Sequence, residues 1–124
     1  MKYKLIVRYN KLNEILRDVI RSGSYIQNKH VYRYYDNKCD SYCVVGAMMD
    51  FITGDECWMN RLGVIEEDII KECTGVDISK INTTFCHICN IKNEKYSLID
   101  YCIHLNDFHN LKYPEVYEEL KLVE

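Results

Sequence analysis

The sequence predicts a mostly α-helical, compact single domain spanning residues 1–124, a bundle of about five helices with a short β-hairpin near residues 24–35. Three observations predict it. Apolar residues recur at helical spacing in successive stretches of the chain. Gly23, Gly54 and Gly75 fall where those stretches end. The 124 residues suit one hydrophobic core, and no linker, repeat or low-complexity run divides them.

The first helix follows from Leu12, Ile15, Leu16, Val19 and Ile20, which mark one buried stripe. Asn10 suits its N-cap and Gly23 its end. Ser24 to Tyr35 holds several β-formers between polar breaks and reads as extended. Asp40 suits the N-cap of a second helix over residues 41–53, closed by Gly54. Its segment "YCVVGAMMDFI" is apolar nearly all round, so it should be the central helix. Gly46 costs about 1 kcal/mol against Ala inside a helix, which predicts close approach by a neighbour. Residues 55–62 read as a short helical turn, and residues 65–73 as a helix ended by Gly75. Residues 74–95 carry no clear period. Residues 94–105 are helical again, with Leu98, Cys102 and Leu105 on one stripe. Pro114 suits the first position of the last helix, with Val116, Tyr117 and Leu120 inward.

Composition narrows the class. The chain is 48% hydrophobic and 28% charged, ordinary for a globular protein. No apolar run reaches the roughly 18 residues of a membrane span. The N-terminal patch Leu5-Ile6-Val7 is too short for a signal peptide, so a cytoplasmic protein is expected. The seven cysteines are an odd number, which rules out a complete internal disulfide set. Reduced thiols are the default, and metals, catalysis or packing must account for them. The net charge of −3 argues against nucleic acid as a partner. Its distribution is uneven: residues 1–38 hold nine Lys/Arg against three Asp/Glu, and residues 39–124 hold seven against sixteen. Lys, Asn, Ile and Tyr make up 46 of the 124 residues, a codon bias of AT-rich genomes such as low-GC bacteria and their phages.

Chemistry concentrates in "TFCHICNIKNEKYSLIDYCIHLNDFHN", residues 84–110. Cys86 and Cys89 form a Cys-x2-Cys pair that can chelate zinc from a tight turn. Cys102 and His104 lie two apart, about 200° around a helix, so they cannot both join the site. The ligand set on this reading is Cys86, Cys89, Cys102 and His109. Against it stands the reading of these cysteines as small buried hydrophobes, which free cysteines commonly are, with no cofactor. A second chemical reading makes Cys43 a nucleophile. It sits in the first turn of the central helix, where a helix N-terminus favours thiolate. His104 would be its base and Asn106 the orienting group. Finally, "HVYRYYDNK" interleaves aromatics with cations. Arg33, Tyr34 and Tyr35 are candidates for a partner surface, and Asn106 with Asp107 for a ligand pocket. Phosphate-binding glycine loops are absent from the sequence.

The leading helix ending at Gly23, "CVVGAMMD" at Cys43 to Asp50, and "LND" at Leu105 to Asp107 followed by "EVYEEL" together resemble a family. It comprises short, uncharacterised bacterial and phage proteins with a Cys-x-x-Gly-Ala buried helix and a late Trp-Asn-Asp or similar turn. The resemblance spans most of the chain and rests on Cys43, Gly46, Ala47, Asn106, Asp107, Val116 and Leu120. Leu105 replaces the usual aromatic, and residues 74–95 have no counterpart. The resemblance implies a fold and no activity.

The leading expectation is therefore a small non-enzymatic binding protein. Its partner would be a host protein or a small ligand, as for a phage-encoded inhibitor of host defence. The alternatives are a hydrolase or transferase using Cys43, and a zinc-stabilised interaction module using Cys86 and Cys89. The sequence leaves the oligomeric state open.

Overall fold

The computed structural model describes residues 8–29, 33–34, 40–54, 66–80, 86, 88–89 and 95–124. Within them the chain forms α1 (Leu12–Ser22), β1 (Arg33–Tyr34), β2 (Ser41–Tyr42), α2 (Val44–Thr53), α3 (Glu66–Thr74), a 3-10 turn (Ile78–Lys80), α4 (Leu98–Asp107) and α5 (Tyr113–Val123). The mostly helical class expected from periodicity is what forms. None of these helices is long and apolar enough to cross a membrane.

The central helix is α2, which packs against α1, α3 and α4. Val44, Val45, Ala47, Met48 and Met49 are all shielded from solvent, as an apolar circumference requires. Alongside it, α1 buries Leu12, Ile15, Leu16 and Val19 and lies against α5, which contributes Val116 and Leu120. Each such side chain stabilises the fold by roughly 1.5–3 kcal/mol when fully buried. Gly23 and Gly54 close α1 and α2 at φ 63° and 62°, in the left-handed conformation that a side chain resists.

Helix starts depart from the simplest sequence reading. At α1 the N-cap is Lys11, and Glu14 reaches back to accept from the backbone N–H groups of Asn10 and Lys11 at 2.8 and 3.0 Å. The first-turn amides of Leu12 and Asn13 are taken by the Glu124 carboxylate, at 2.7 and 2.8 Å. A side chain from beyond α5 thus caps α1 and fixes the pairing of those two helices. At α2 the cap is Cys43, whose Sγ accepts the Gly46 N–H at 3.3 Å. Asp40 does not serve, because Ser41 and Tyr42 are drawn into strand β2. At α4 the Ser97 hydroxyl caps Asp100 N. Pro114 takes the second position of α5.

The hairpin also differs from expectation. The described pairings of this stretch are with residues 41–42. β1 pairs antiparallel with β2, Arg33 opposite Tyr42 and Tyr34 opposite Ser41. Residues 26–28 run along β2 in parallel, with Asn28 N donating to Tyr42 O at 2.9 Å. The helical turn expected at 55–62 lies outside the described residues.

What holds the 26–28 segment is Asn106, on the last turn of α4 and 1% exposed. Its Oδ1 accepts from Val44 N at 3.0 Å and from Gln27 Nε2 at 2.8 Å. Its Nδ2 donates to Asn28 O and Asp107 Oδ1, each at 2.8 Å. Gln27 in turn donates to Leu111 O at 2.7 Å and accepts from Tyr113 N at 3.1 Å. One buried amide pair thereby ties the start of α2, the end of α4 and the start of α5.

Two outcomes are expected. Asn106→Ala strands several buried donors and acceptors, each worth about 1–3 kcal/mol. Urea unfolding should show a loss of at least about 3 kcal/mol, and Asn106→Asp should not restore it, because its carboxylate meets Asn28 O and Asp107. Burial raises the Glu124 carboxyl above its ordinary value of 4.5, against the pull of the two amides it accepts from. Its neutral form is thus relatively favoured in the fold. Stability should fall as pH rises through the raised value, and Glu124→Gln should flatten that part of the stability–pH curve.

Candidate metal centre

Four side chains that can ligate a metal converge beside the end of α4. Cys86, Cys89, His104 and His109 each offer one ligand atom, and these atoms all lie within 4.8 Å of one another. Cys89 Sγ is 3.1 Å from His104 Nε2 and 3.0 Å from His109 Nε2, and Cys86 Sγ is 3.4 Å from His109 Nε2. A tetrahedral ion with Zn–S bonds of ~2.3 Å and Zn–N bonds of ~2.0 Å holds its ligand atoms roughly 3.3–3.8 Å apart. Three of the pairs are close to that spacing, and the widest, at up to 4.8 Å, would close by about 1 Å around an ion.

Local structure brings the histidines together. His104 is on the last turn of α4, and Phe108 follows as its C-cap. The chain then wraps tightly, with His109 N donating to His104 O at 3.3 Å and Leu111 N to Leu105 O at 3.1 Å. Asn110 completes the turn at φ 58°, a left-handed conformation that Asn tolerates better than most residues. The rings are held by aromatic contacts. His104 is stacked between Tyr96, at 4.6 Å and 24°, and Phe108, at 5.1 Å and 11°. His109 stands perpendicular to both His104 and Phe108. Cys86 is buried, whereas Cys89 and the two histidines are half-buried.

The zinc set read from sequence needs one correction. Cys86, Cys89 and His109 come together, but Cys102 is not with them. It is fully buried on the inward stripe of α4 between Leu98 and Leu105, where desolvation raises its thiol pKa. His104, some 200° around the helix from Cys102, faces the cluster instead. A signal for His104 was present in the spacing. Residues 90–103 separate Cys89 from His104 and residues 105–108 separate the histidines. This gives Cys-x2-Cys-x14-His-x4-His, within the range of Cys2His2 zinc sites. Of the three cysteines read as packing residues, Cys102 and Cys86 are buried free thiols and Cys89 is half-buried.

The nucleophile reading meets the opposite of its requirements. Cys43 is 4% exposed, and burial pushes its thiol up to about 11 even though the amides of Gly46 and Val45 pull it down. Desolvation outweighs the helix N-terminus. His104 is engaged at the cysteine cluster, and Asn106 accepts the Val44 amide that follows Cys43.

The candidate partner surface is only partly described. Arg33 lies in β1, Tyr34 is 56% exposed there, and Tyr35 lies outside the described residues. Most of the described tyrosines turn inward and leave Tyr34 as the exposed one among them. Tyr9, Tyr101 and Tyr113 are buried, and Tyr25, Tyr42, Tyr96 and Tyr117 are half-buried. Several are drawn inward by hydrogen bonds, such as Tyr25 OH to Asp50 and Tyr113 OH to Tyr42 O. Asn106 and Asp107 act on the fold rather than as free polar groups, since Asn106 spends both of its amide atoms internally.

The chain matches no protein-family model, no curated protein and no solved structure. The resemblance to short bacterial and phage proteins therefore rests on the residues that carry it.

One outcome checks the account of Cys43. In the native protein at neutral pH, mass spectrometry should find Cys43 unmodified by iodoacetamide over times that fully alkylate the unfolded chain.

Proposed function

We propose that this protein is a small non-enzymatic binding module whose fold is stabilised by one zinc ion held by Cys86, Cys89, His104 and His109. The convergence of four soft and borderline donors within 4.8 Å carries the reading. Two thiolates and two imidazoles in tetrahedral reach suit Zn²⁺ better than oxygen-seeking cations. Four protein ligands fill the coordination sphere and leave no position for substrate, which is the pattern of structural sites. The ion would tie Cys86 and Cys89 to the end of α4. That link would replace part of the apolar core that a chain of this size can supply.

The burial of Cys43, which disfavours its thiolate, supports the non-enzymatic part of the proposal. Binding is then left to surface features, of which exposed Tyr34 on β1 is one.

Elemental analysis of purified protein should find one zinc per chain. A strong chelator should lower stability by about 3 kcal/mol or more, the linkage expected when a tight ligand is removed from the folded state. Cobalt(II) should give tetrahedral absorption bands with thiolate charge transfer. His104→Ala and Cys89→Ser should abolish those bands, whereas Cys102→Ala should keep them while destabilising the core. Loss of metal in Cys102→Ala but not in His104→Ala would restore the original ligand set and overturn this one.

A further inference from the structure

A second site lies on the other side of the Asn106 network. Gln27, Asn28, Lys29, Asn106, Asn110 and Lys112 line a cavity of about 150 Å³. That is several times the ~30 Å³ share of one liquid water. Among the described residues the lining includes two lysines and no acidic residue. Both lysines are exposed, and neither forms an ion pair among the described residues. Asp107 is the neighbouring acid on α4, and it already accepts from Asn106 Nδ2.

The amides of the lining differ in how fully they are used. Asn106 and Gln27 spend their oxygens and nitrogens on the fold. Asn28 does not. Its Nδ2 donates to Ser41 Oγ at 3.1 Å, while its Oδ1 is buried without a partner. Rotating this amide by 180° lets the Ser41 hydroxyl donate to the oxygen and leaves an N–H₂ group unpaired instead. Either way one polar atom of Asn28 lacks a partner, and such groups are costly when buried. Helix α5 begins at Tyr113, directly after Lys112, and the Glu115 carboxylate accepts the Lys112 N–H at 3.0 Å, so the helix end is already capped by an acid and the two lysines carry the positive charge. The Tyr113 N–H itself is taken by Gln27. The walls come from segments that the Asn106 network fixes, so the site is already formed before a ligand arrives.

We propose that this cavity binds the oxyanion group of a small ligand, phosphate or carboxylate. Lys29 and Lys112 supply the charge, and the Asn28 amide, once turned out of its buried pose toward the cavity, supplies a directed hydrogen bond. The site uses none of the candidate metal ligands, although it shares the turn after α4 with His109.

The test is a titration of the full chain with inorganic phosphate, and separately with acetate, at constant ionic strength set by chloride. Amide NMR resonances provide the readout. Saturable shifts are expected at Asn28, Asn110 and Lys112 and at the Asn28 side-chain amide. The double variant Lys29→Gln, Lys112→Gln should weaken binding about tenfold or more, as loss of charge-assisted contacts implies, with an unchanged melt because both side chains are at the surface. Preference for phosphate identifies a phosphorylated ligand, and equal or better binding of acetate identifies a carboxylate; each supports the proposal. Shifts that stay linear with concentration, or saturable binding that the double variant leaves intact, would overturn it.

Discussion

The buried amide of Asn106 is the interaction on which the arrangement of this protein depends. Hydrophobic burial alone would let α1, α2, α4 and α5 associate, but it is non-directional and would not fix how the helix ends meet. Asn106 supplies direction. It satisfies Val44 N, one of the amides that the start of α2 leaves without an intrahelical partner, and it holds Gln27 and the Asn28 carbonyl from a segment far away in sequence. A buried amide with both atoms paired costs little and specifies one geometry, whereas a misregistered one leaves several orphan groups in low dielectric. The short strand pairing of residues 26–28 with β2 follows from this, since Gln27 is pinned to Leu111 and Tyr113 before it meets Tyr42.

The helix that carries Asn106 is also the helix that divides its faces most sharply. Leu98, Cys102 and Leu105 enter the core, His104 faces Cys89, and Asn106 faces the start of α2. Two cysteines of similar sequence context therefore have different chemistry. Cys102 is a buried apolar filler whose ionisation is opposed by desolvation. Cys89 is half-buried, beside two imidazoles that a metal would bind in neutral form. Without an ion, two thiols and two imidazoles can exchange only weak S–H···N bonds, a small return for ordering four side chains and a turn. With zinc the same four groups become a cross-link. That contrast favours a metal over packing for Cys86 and Cys89, and packing over a metal for Cys102.

Much of the helical framework was legible in the sequence because burial stripes and left-handed glycines are local signals. Gly23 and Gly54 end α1 and α2 where they were expected. Helix starts were less legible, because several are capped by residues that no local pattern predicts: Glu124 for α1, and the thiol of Cys43 for α2. The hairpin was misplaced for the same reason, as Gln27 and Asn28 are held by partners about 80 positions away. Of the four side chains that converge beside α4, three were readable from residue type as candidate ligands. His104 was left out because it and Cys102 face opposite sides of one helix, and the place of Cys102 on the apolar stripe with Leu98 and Leu105 is what assigns it to the core.

The position of His109 joins these points. It lies five residues after His104, too far around a continuing helix to share a ligand set with it. Ending α4 at Asp107 and wrapping the chain through Asn110 brings its ring perpendicular to that of His104 at 4.7 Å. The same wrap delivers Leu111 O to Gln27 and sets Asn110 and Lys112 beside Asn28. A turn of a few residues therefore aims one side chain at the cysteines and, immediately afterwards, two at the cavity. Any force that fixes this turn acts on both faces. Asn106 fixes it from the core side through Gln27, and a zinc ion would fix it from the surface side through His109. Exposed Phe108 fits the same logic, since its ring covers His104 and its 66% exposure reflects that task rather than a lapse in packing.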